Sequence, residues 1–565
     1  MVRTLEYDVV CVGAGGAGIT AAVTAASAGA RVLLVSKDPL GYGNTRIAVG
    51  LVASCGLDPE DNPEVFYDDL VVGGEYLNNP KMARAMAEEA RGCPAIAEGL
   101  GHLFRRDGDG ALSRAVATRA GGHRFARTLP IPAHGIAMGQ ALRSAVARGT
   151  LDTCEETITV ALLRDGGRIA GLVAWDLAAG EAVVVRASAI ILATGGLGWM
   201  YYPHTDCMRS ATGDGYALAY QAGAELVDME QVQFVPFACT HPTSMVGIFL
   251  GEPAWAGPQG RLLDGQGREL LTGINRMTRA QVSRVMALEL QQGHGTAHGG
   301  LLLDLRPNLT TAEGRAVWQK MKDDGFLDNA RRAYGAAAYA WEEPWDVAPT
   351  AHFHMGGVRT DAQGASSLPG LYAAGEAAGG LHGANRLGSV ALAEVFVFGQ
   401  HAGIAAAAYA LSVDRPAMPQ EAAAVTVAEV EALLGTSGEH RPIALARRLQ
   451  RLMWGKVGVV RGEVQLAAAL SSLDELRYQT GSLRVSQHRR YNAELLDALE
   501  LRSMLLAAEM VVSSALRRRE SRGAHVRLDY PERDDAQWQA NIVVWRQEKG
   551  MALATESVGG TSTPA

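Results

Sequence analysis

The sequence predicts an α/β fold: a doubly wound parallel sheet, interrupted by an inserted α+β segment and followed by a helical domain. Three observations carry that expectation. The chain opens on a strand–helix–strand alternation closed by glycines. Two later apolar runs end in glycine pairs, and beyond residue 430 the apolar residues recur every three to four positions.

Taken in order, residues 7–15 (YDVVCVGAG) read as a buried strand. Residues 17–29 (AGITAAVTAASAG) read as a small-residue helix, and residues 30–37 (ARVLLVSK) as a second strand. Residues 188–196 (SAIILATGG) and 370–380 (GLYAAGEAAGG) are the further strands with terminal glycines. Between 236 and 345 the chain is richer in Pro, Trp and polar loops, which marks an insertion. ALARRLQRLMWGKV and AELLDALELRSMLLAAEMVVSSALRRR then show helical periodicity. The expected divisions are 1–235, 236–345, 346–430 and 431–545, with a tail at 546–565 whose final ATESVGGTSTPA reads as small, polar and disordered. Several domains are expected at 565 residues, because one core stops growing well before that length.

Composition narrows the function. A net charge of −8, with no basic block to offset it, argues against a nucleic-acid binder. The short run LRRRESR at 516–522 reads as a solvated or internally paired helix face. Cysteines at 11, 55, 93, 154, 207 and 239 are too scattered for an iron–sulfur cluster or a structural zinc. No signal peptide is recognisable, and apolar runs are broken short of the roughly 18–20 residues of a membrane span. A cytoplasmic location without direct membrane insertion is expected.

GAGGAG sets Gly13, Gly15 and Gly18 in Gly-x-Gly-x-x-Gly spacing, with Gly16 between them. The first permits a tight turn, the second lets a pyrophosphate approach the backbone, and the third lets helix pack on strand. The helix start offers unpaired N–H groups to the phosphates. The second strand ends Ser36-Lys37, where the general rule asks for a ribose-binding acid. Other turn motifs extend the site: LATGG with Gly195 and Gly196, ATGDG with Asp214, AAGE with Glu376, and HGANRLG with Arg386. Together they suit a ligand longer than one β-α-β unit spans, which suggests FAD.

The combination GAGGAG…LLVSK…ATGG…TGDG…HFHMGG…GLYAAGE…HGANRLG…ESRGAH resembles the flavoprotein subunit family of succinate dehydrogenase and fumarate reductase, which includes L-aspartate oxidase. The similarity runs over nearly the whole chain. It implies a Rossmann-like FAD-binding domain split into 1–235 and 346–430, an α+β capping domain at 236–345 and a helical C-terminal domain at 431–545. The family's second strand commonly ends Ser-Lys, so Ser36 and Lys37 join the implied cofactor contacts. Asn44, followed by Thr45, falls where respiratory members carry a histidine bonded to the flavin. An amide nitrogen is a poor nucleophile, so non-covalent FAD is expected.

The resemblance further implies hydride transfer between flavin N5 and a carbon near a carboxylate, with a proton moving on the opposite face. It assigns Arg386 to the carboxylate clamp, Arg279 to the proton shuttle and His352 to substrate binding. Guanidinium suits the clamp because its planar fork offers paired donors. The departures point to the substrate class. Val235 replaces a substrate histidine and Phe237 lies just beyond the next proline. In FLGEPAWAGPQG, Glu252 is near the family's expected acid, but Ala256 occupies the place of a relay arginine, with Trp255 beside it. A carboxylate buried at that pole without donors would be costly. Plain succinate or fumarate is therefore disfavoured, and an organic acid with an apolar or aromatic remainder against Val235, Phe237 and Trp255 is expected. The alternative is a flavoprotein subunit of an electron-transfer complex, adenylylsulfate-reductase-like or catalytically degenerate, working with an iron–sulfur partner. Direct reaction with oxygen stays open.

In PTAHFHMGG, strand alternation would put His352 and His354 on one face. The sequence offers no third and fourth ligand, so no metal site is expected. His354 reads either as a hydrogen-bonded core histidine or as a partial replacement for the one lost at Val235.

Overall fold

The computed structural model describes residues 2–149 and 151–559. Strand Val2–Val12 lies inside a seven-stranded sheet, parallel to Val32–Val35 on one side and to Glu181–Leu192 on the other. Asp152–Cys154 extends the parallel part beyond Val32–Val35. The long strand Glu181–Leu192 changes its second neighbour midway. Its first half pairs antiparallel with Arg168–Asp176, and its end pairs parallel with Leu371–Ala373. These central strands are continuous apolar runs because both faces are covered. Val9, Cys11 and Ile191 share one core with the helices Gly16–Ser27 and Val390–Ser412, while Val10, Val12 and Leu192 share another with Asp214–Ala222.

The helix Val390–Ser412 corrects one expectation. By length and composition it is long and apolar enough to cross a membrane, yet 72% of its most apolar window is buried within the chain. It packs closely on Gly16–Ser27: a Cβ on Gly403 would sit 2.5 Å from the Ala21 carbonyl oxygen. That contact is the behaviour of a core helix.

The second sheet is antiparallel, in the order Phe249–Gly251, Val232–Cys239, Trp345–His354, Leu301–Asp304, Arg261–Leu263, Glu269–Thr272. Its two long strands run past the expected limits at 236 and 345, so both crossings between the two sheets are strands rather than linkers. The tryptophan-rich texture of this segment is its own core, with Trp255, Trp341 and Trp345 packed around Phe237 and Leu303.

Helices Pro442–Val457, Glu463–Gln479 and Ala493–Arg517 form the helical part. The start of the expected disordered tail is instead a strand. Gly550–Ser557 pairs with Ala540–Gln547, and that hairpin joins Leu226–Val227, Gly357–Arg359 and Ala378–Gly379 in a five-stranded sheet. Its residues look polar because an edge strand keeps much of its surface in water. Residues 560–565 of that tail lie outside the described residues.

The basic run is internally paired rather than solvated at its key positions. Arg518 is buried against Glu230 and Glu520, and Arg522 against Glu520 and Asp535. The Arg518–Glu230 pair ties the helical part to the root of Val232–Cys239. The Ala524 N–H donates to the Ala384 carbonyl, seating the ESRGAH loop on the loop that carries Arg386.

Candidate active site

A cavity of about 240 Å³ begins over the glycine loop and ends beneath the second sheet. Gly15, Ser36, Lys37, Gly195 and Asp214 line one end; Phe249, Glu252, Arg279, His352 and Arg386 line the other. The loop glycines differ in what would meet a side chain. On Gly18 a Cβ would fall 1.8 Å from the Gly13 carbonyl oxygen, so that glycine serves helix–strand contact and does not line the cavity. On Gly15 nothing lies nearer than 3.6 Å, and the free space is the cavity itself. That is the room a pyrophosphate needs. Gly13, Gly16 and Thr45 also line this end, whereas Gly196 does not and packs on Glu376.

The acid missing after the second strand comes from elsewhere. Lys37 Nζ donates to Thr212 Oγ1 (2.7 Å), Asp214 Oδ2 (2.6 Å) and Glu500 Oε1 (2.9 Å). Burial alone would lower the Lys37 ammonium, but the two carboxylates outweigh it and hold it above its usual range. Asp214 Oδ1 and Thr194 Oγ1 are buried without a protein partner beside the same cavity. A ligand rich in hydroxyls would satisfy both. The residues present therefore fit FAD.

Farther along, Asn44 Nδ2 donates to Glu376 Oε2 (3.0 Å), and Asn44 Oδ1 accepts from the Met208 N–H (2.8 Å). The His354 N–H donates to Glu376 Oε1 (3.0 Å). Burial pushes the Glu376 carboxyl up to about 7, against the pull of those two donors. A carboxyl raised above its unfolded value contributes stability at low pH and loses it as the pH climbs through about 4.5 to 7. Glu376→Gln in the apoprotein is expected to remove roughly 3 kcal/mol of that pH-dependent loss. Thermal melting of both proteins from pH 5 to 8 checks this. Parallel pH slopes would contradict it, and Asp228, also raised to about 7, leaves a slope common to both.

At the far end, Arg279 opens the helix Arg279–Gln291, whose start is fixed by a reciprocal cap between Thr278 and Gln281. Its Nε donates to Glu252 Oε2 (2.8 Å), its second terminal nitrogen to Glu252 Oε1, and its first to Gln233 Oε1 (2.8 Å). Burial would raise the Glu252 carboxyl, but Arg279 overrides it and holds the group below its ordinary value. Gln233 also donates to the Arg386 carbonyl (2.9 Å), bracing the two arginine-bearing segments.

Arg386 is different. Its guanidinium donates to the Leu387 carbonyl at 3.3 Å and lies over the Phe353 ring, and its Nε has no partner. Burial and the neighbouring Arg279 push it down to about 9, so it stays charged at neutral pH in an unfavourable place. Among the described residues no carboxylate forms an ion pair with it. His352 also faces the cavity, with Nδ1 2.7 Å from Asp206 Oδ2.

Four expected pocket residues are not there. Val235, Phe237 and Trp255 are packed into the protein, Trp255 stacked on Phe326 at 4.4 Å, and none lines the cavity. The apolar wall is Phe249, which sits edge-on to Trp255 and went unread although it opens the FLGEPAWAGPQG stretch. His354 is also out of the cavity: Nε2 bonds the Met229 carbonyl (2.9 Å), the ring packs on Tyr216, and burial lowers it to about 4. The reason is a bulge. Phe234 pairs with Ala351 and Gln233 with Phe353, so His352 is the extra residue and the alternation breaks there. Of the two readings of His354, the hydrogen-bonded core histidine describes it.

A glycine loop at the end of a parallel sheet, opening into a cavity that suits a long dinucleotide, is the arrangement of a dinucleotide-binding protein. Known proteins carry this further. Residues 8–392 match the FAD binding domain family and residues 446–564 the fumarate reductase flavoprotein C-terminal family. The chain is 36% identical over 557 residues to a subunit of the fumarate reductase (CoM/CoB) of Methanothermobacter marburgensis, covering 96% of this chain and 97% of that one. It is 35% identical to the L-aspartate oxidase of Streptomyces coelicolor, covering 99% and 94%. The solved E. coli quinol fumarate reductase FrdA superposes with a TM-score of 0.89 at 30% identity, covering 100% and 98%. The chain belongs to the FAD-binding flavoprotein family of succinate dehydrogenase, fumarate reductase and L-aspartate oxidase. It is an FAD-dependent oxidoreductase.

Proposed function

We propose that the chain exchanges a hydride and a proton with an organic acid bearing one carboxylate, held on Arg386, with an apolar stretch against Phe249. The carrying observation is Arg386 itself, a buried cation with an unbonded Nε and no ion-paired carboxylate among the described residues, at the end of the cofactor cavity. An incoming carboxylate removes that penalty and takes paired hydrogen bonds in the guanidinium plane. Glu252 already neutralises Arg279, so a second carboxylate would meet no free cation. Succinate and fumarate are the poorer fit.

FAD, when bound, supplies the hydride exchange. Arg279 holds the proton at the substrate, and Glu252, bonded to it twice, receives or returns it. Asn44, already engaged with Glu376 and Met208, leaves the flavin held by non-covalent contacts. Acid precipitation is expected to release all the flavin to the supernatant; flavin retained in the pellet would contradict this. No cluster of His, Cys, Asp or Glu among the described residues suits a metal, and several relatives are named as subunits. On the strength of those relatives, electrons are expected to pass to a separate iron–sulfur or other electron-transfer subunit, with direct reaction with oxygen as the alternative.

Anaerobic mixing of oxidised holoprotein with mono- and dicarboxylic acids, and of reduced holoprotein with unsaturated ones, tests the substrate class. A monocarboxylic acid with an apolar remainder is expected to change the flavin's redox state faster than succinate or fumarate. A preference for the dicarboxylates, or silence across the panel, would sink the reading.

A further inference from the structure

The loop that carries Arg386 is held from two sides. On one, Gln233 donates to the Arg386 carbonyl (2.9 Å). On the other, residues 120–123 (AGGH) run against residues 386–388. The Gly388 N–H donates to the Gly121 carbonyl (3.1 Å), and His123 Nε2 lies 2.7 Å from the Gly388 carbonyl oxygen. The contact is close: a Cβ on Gly122 would fall 2.2 Å from Leu387 Cδ2, and one on Gly388 2.7 Å from Ala120 Cβ.

The other ring nitrogen of His123, Nδ1, lies 3.1 Å from Arg127 Nη1. A guanidinium only donates and a carbonyl only accepts, so Nδ1 is bare and Nε2 carries the ring's single proton. Arg127 is fully buried and fixed in turn by Asp61, through Nε (3.1 Å) and Nη2 (2.6 Å), and by Asp69, through Nη1 (2.6 Å). Burial, reinforced by the Arg127 charge, lowers the imidazole to about 4, which keeps it neutral at pH 7. Two carboxylates therefore orient a cation, the cation orients the ring, and the ring donates to the loop. His123 is buried and does not line the cavity, so it acts on the site only through that loop.

Arg386 depends on such a hold. The charge of Arg279 repels it, and it has an unbonded Nε. A repelled, unsatisfied cation moves off when its backbone can follow, and a shift of about 1 Å is enough to spoil an oriented contact. We infer that His123 is a positioning residue: its Nε2–H, aimed by Arg127, Asp61 and Asp69, pins the Gly388 carbonyl and so fixes the Arg386 guanidinium where an incoming carboxylate meets it. The inference rests on Arg386 as the carboxylate clamp.

Two amides test it, because the Gln amide nitrogen reaches the place of Nε2 and the Asn amide only that of Nδ1. His123→Gln keeps a donor for Gly388, whereas His123→Asn keeps an acceptor for Arg127 and loses that donor. Butyrate, one carboxylate on an apolar chain, is titrated into the oxidised holoproteins at equal flavin content and followed by the flavin spectrum. His123→Asn is expected to bind it about tenfold more weakly than wild type, the contribution of one hydrogen bond, and His123→Gln within about threefold of wild type. Urea unfolding of the same proteins reads any general loss of stability separately. Equal dissociation constants in all three, whatever their stability, would reduce His123 to a packing residue and overturn the inference. A His123→Gln protein as weak as His123→Asn would overturn it too. Should His123→Asn yield no holoprotein, His123→Gln decides: wild-type affinity upholds the donor at Nε2, and weakened affinity overturns it. Silence of the wild type toward butyrate would overturn the Arg386 clamp and this inference with it, whereas a response that His123→Asn leaves unmoved overturns the positioning role alone.

Discussion

Arg279→Met is expected to lose about 3–5 kcal/mol of stability, because Glu252 is left ionised and buried without its partner. The same change should lower turnover by roughly 10²–10⁴-fold, the usual contribution of a positioned proton donor. Either loss alone could have a trivial cause; the double variant separates them. Arg279→Met with Glu252→Gln replaces the ion pair by neutral groups of similar size, so most of the stability should return. Turnover should not, since the proposed proton carrier is gone. Urea unfolding and anaerobic flavin reduction read the two quantities separately. A single variant as stable as wild type would show that Glu252 does not depend on Arg279, and a double variant with restored turnover would remove Arg279 from the chemistry.

Arg386→Met should move stability the other way. This guanidinium has no carboxylate partner and an unsatisfied Nε, so a side chain of similar length without charge relieves a desolvation cost. A gain of about 1–3 kcal/mol is expected, together with at least a 10²-fold loss of response to organic acids. Opposite signs on stability from two arginines in one cavity follow directly from their pairing. If Arg386→Met destabilised the protein as much as Arg279→Met, a counter-ion would have to exist and the free-cation argument would fall.

What the sequence revealed was mainly local. The glycine loop, the strand that feeds it and the C-terminal helices are short-range patterns, and they appear where the periodicity put them. Arg279, Glu252, His352 and Arg386 were implied by the family resemblance, and all four line one cavity. Of the misplaced residues, Val235, Phe237 and His354 lie in the two irregular strands, while Trp255 sits in the short turn after Phe249–Gly251. A bulge at His352 and another irregularity between Val235 and Ala238 reset which side chains share a face. No pattern in one strand announces that, since a bulge is defined by its partner's register. Asp206 and Gln233 were missed for a related reason: their roles rest on contacts 146 and 46 residues away in sequence. Glu500 reaches Lys37 across 463 residues, a contact that no local pattern announces. The Gly550–Ser557 strand escaped because its pairing, not its composition, orders it.

The central claim is that one anion seats on Arg386 beside the flavin. Its most direct test is a titration of butyrate into oxidised holoprotein, wild type and Arg386→Met, at equal flavin content. A saturable change in the flavin spectrum is expected in the wild type and none at the same concentrations in the variant. Equal dissociation constants in the two proteins would contradict the account.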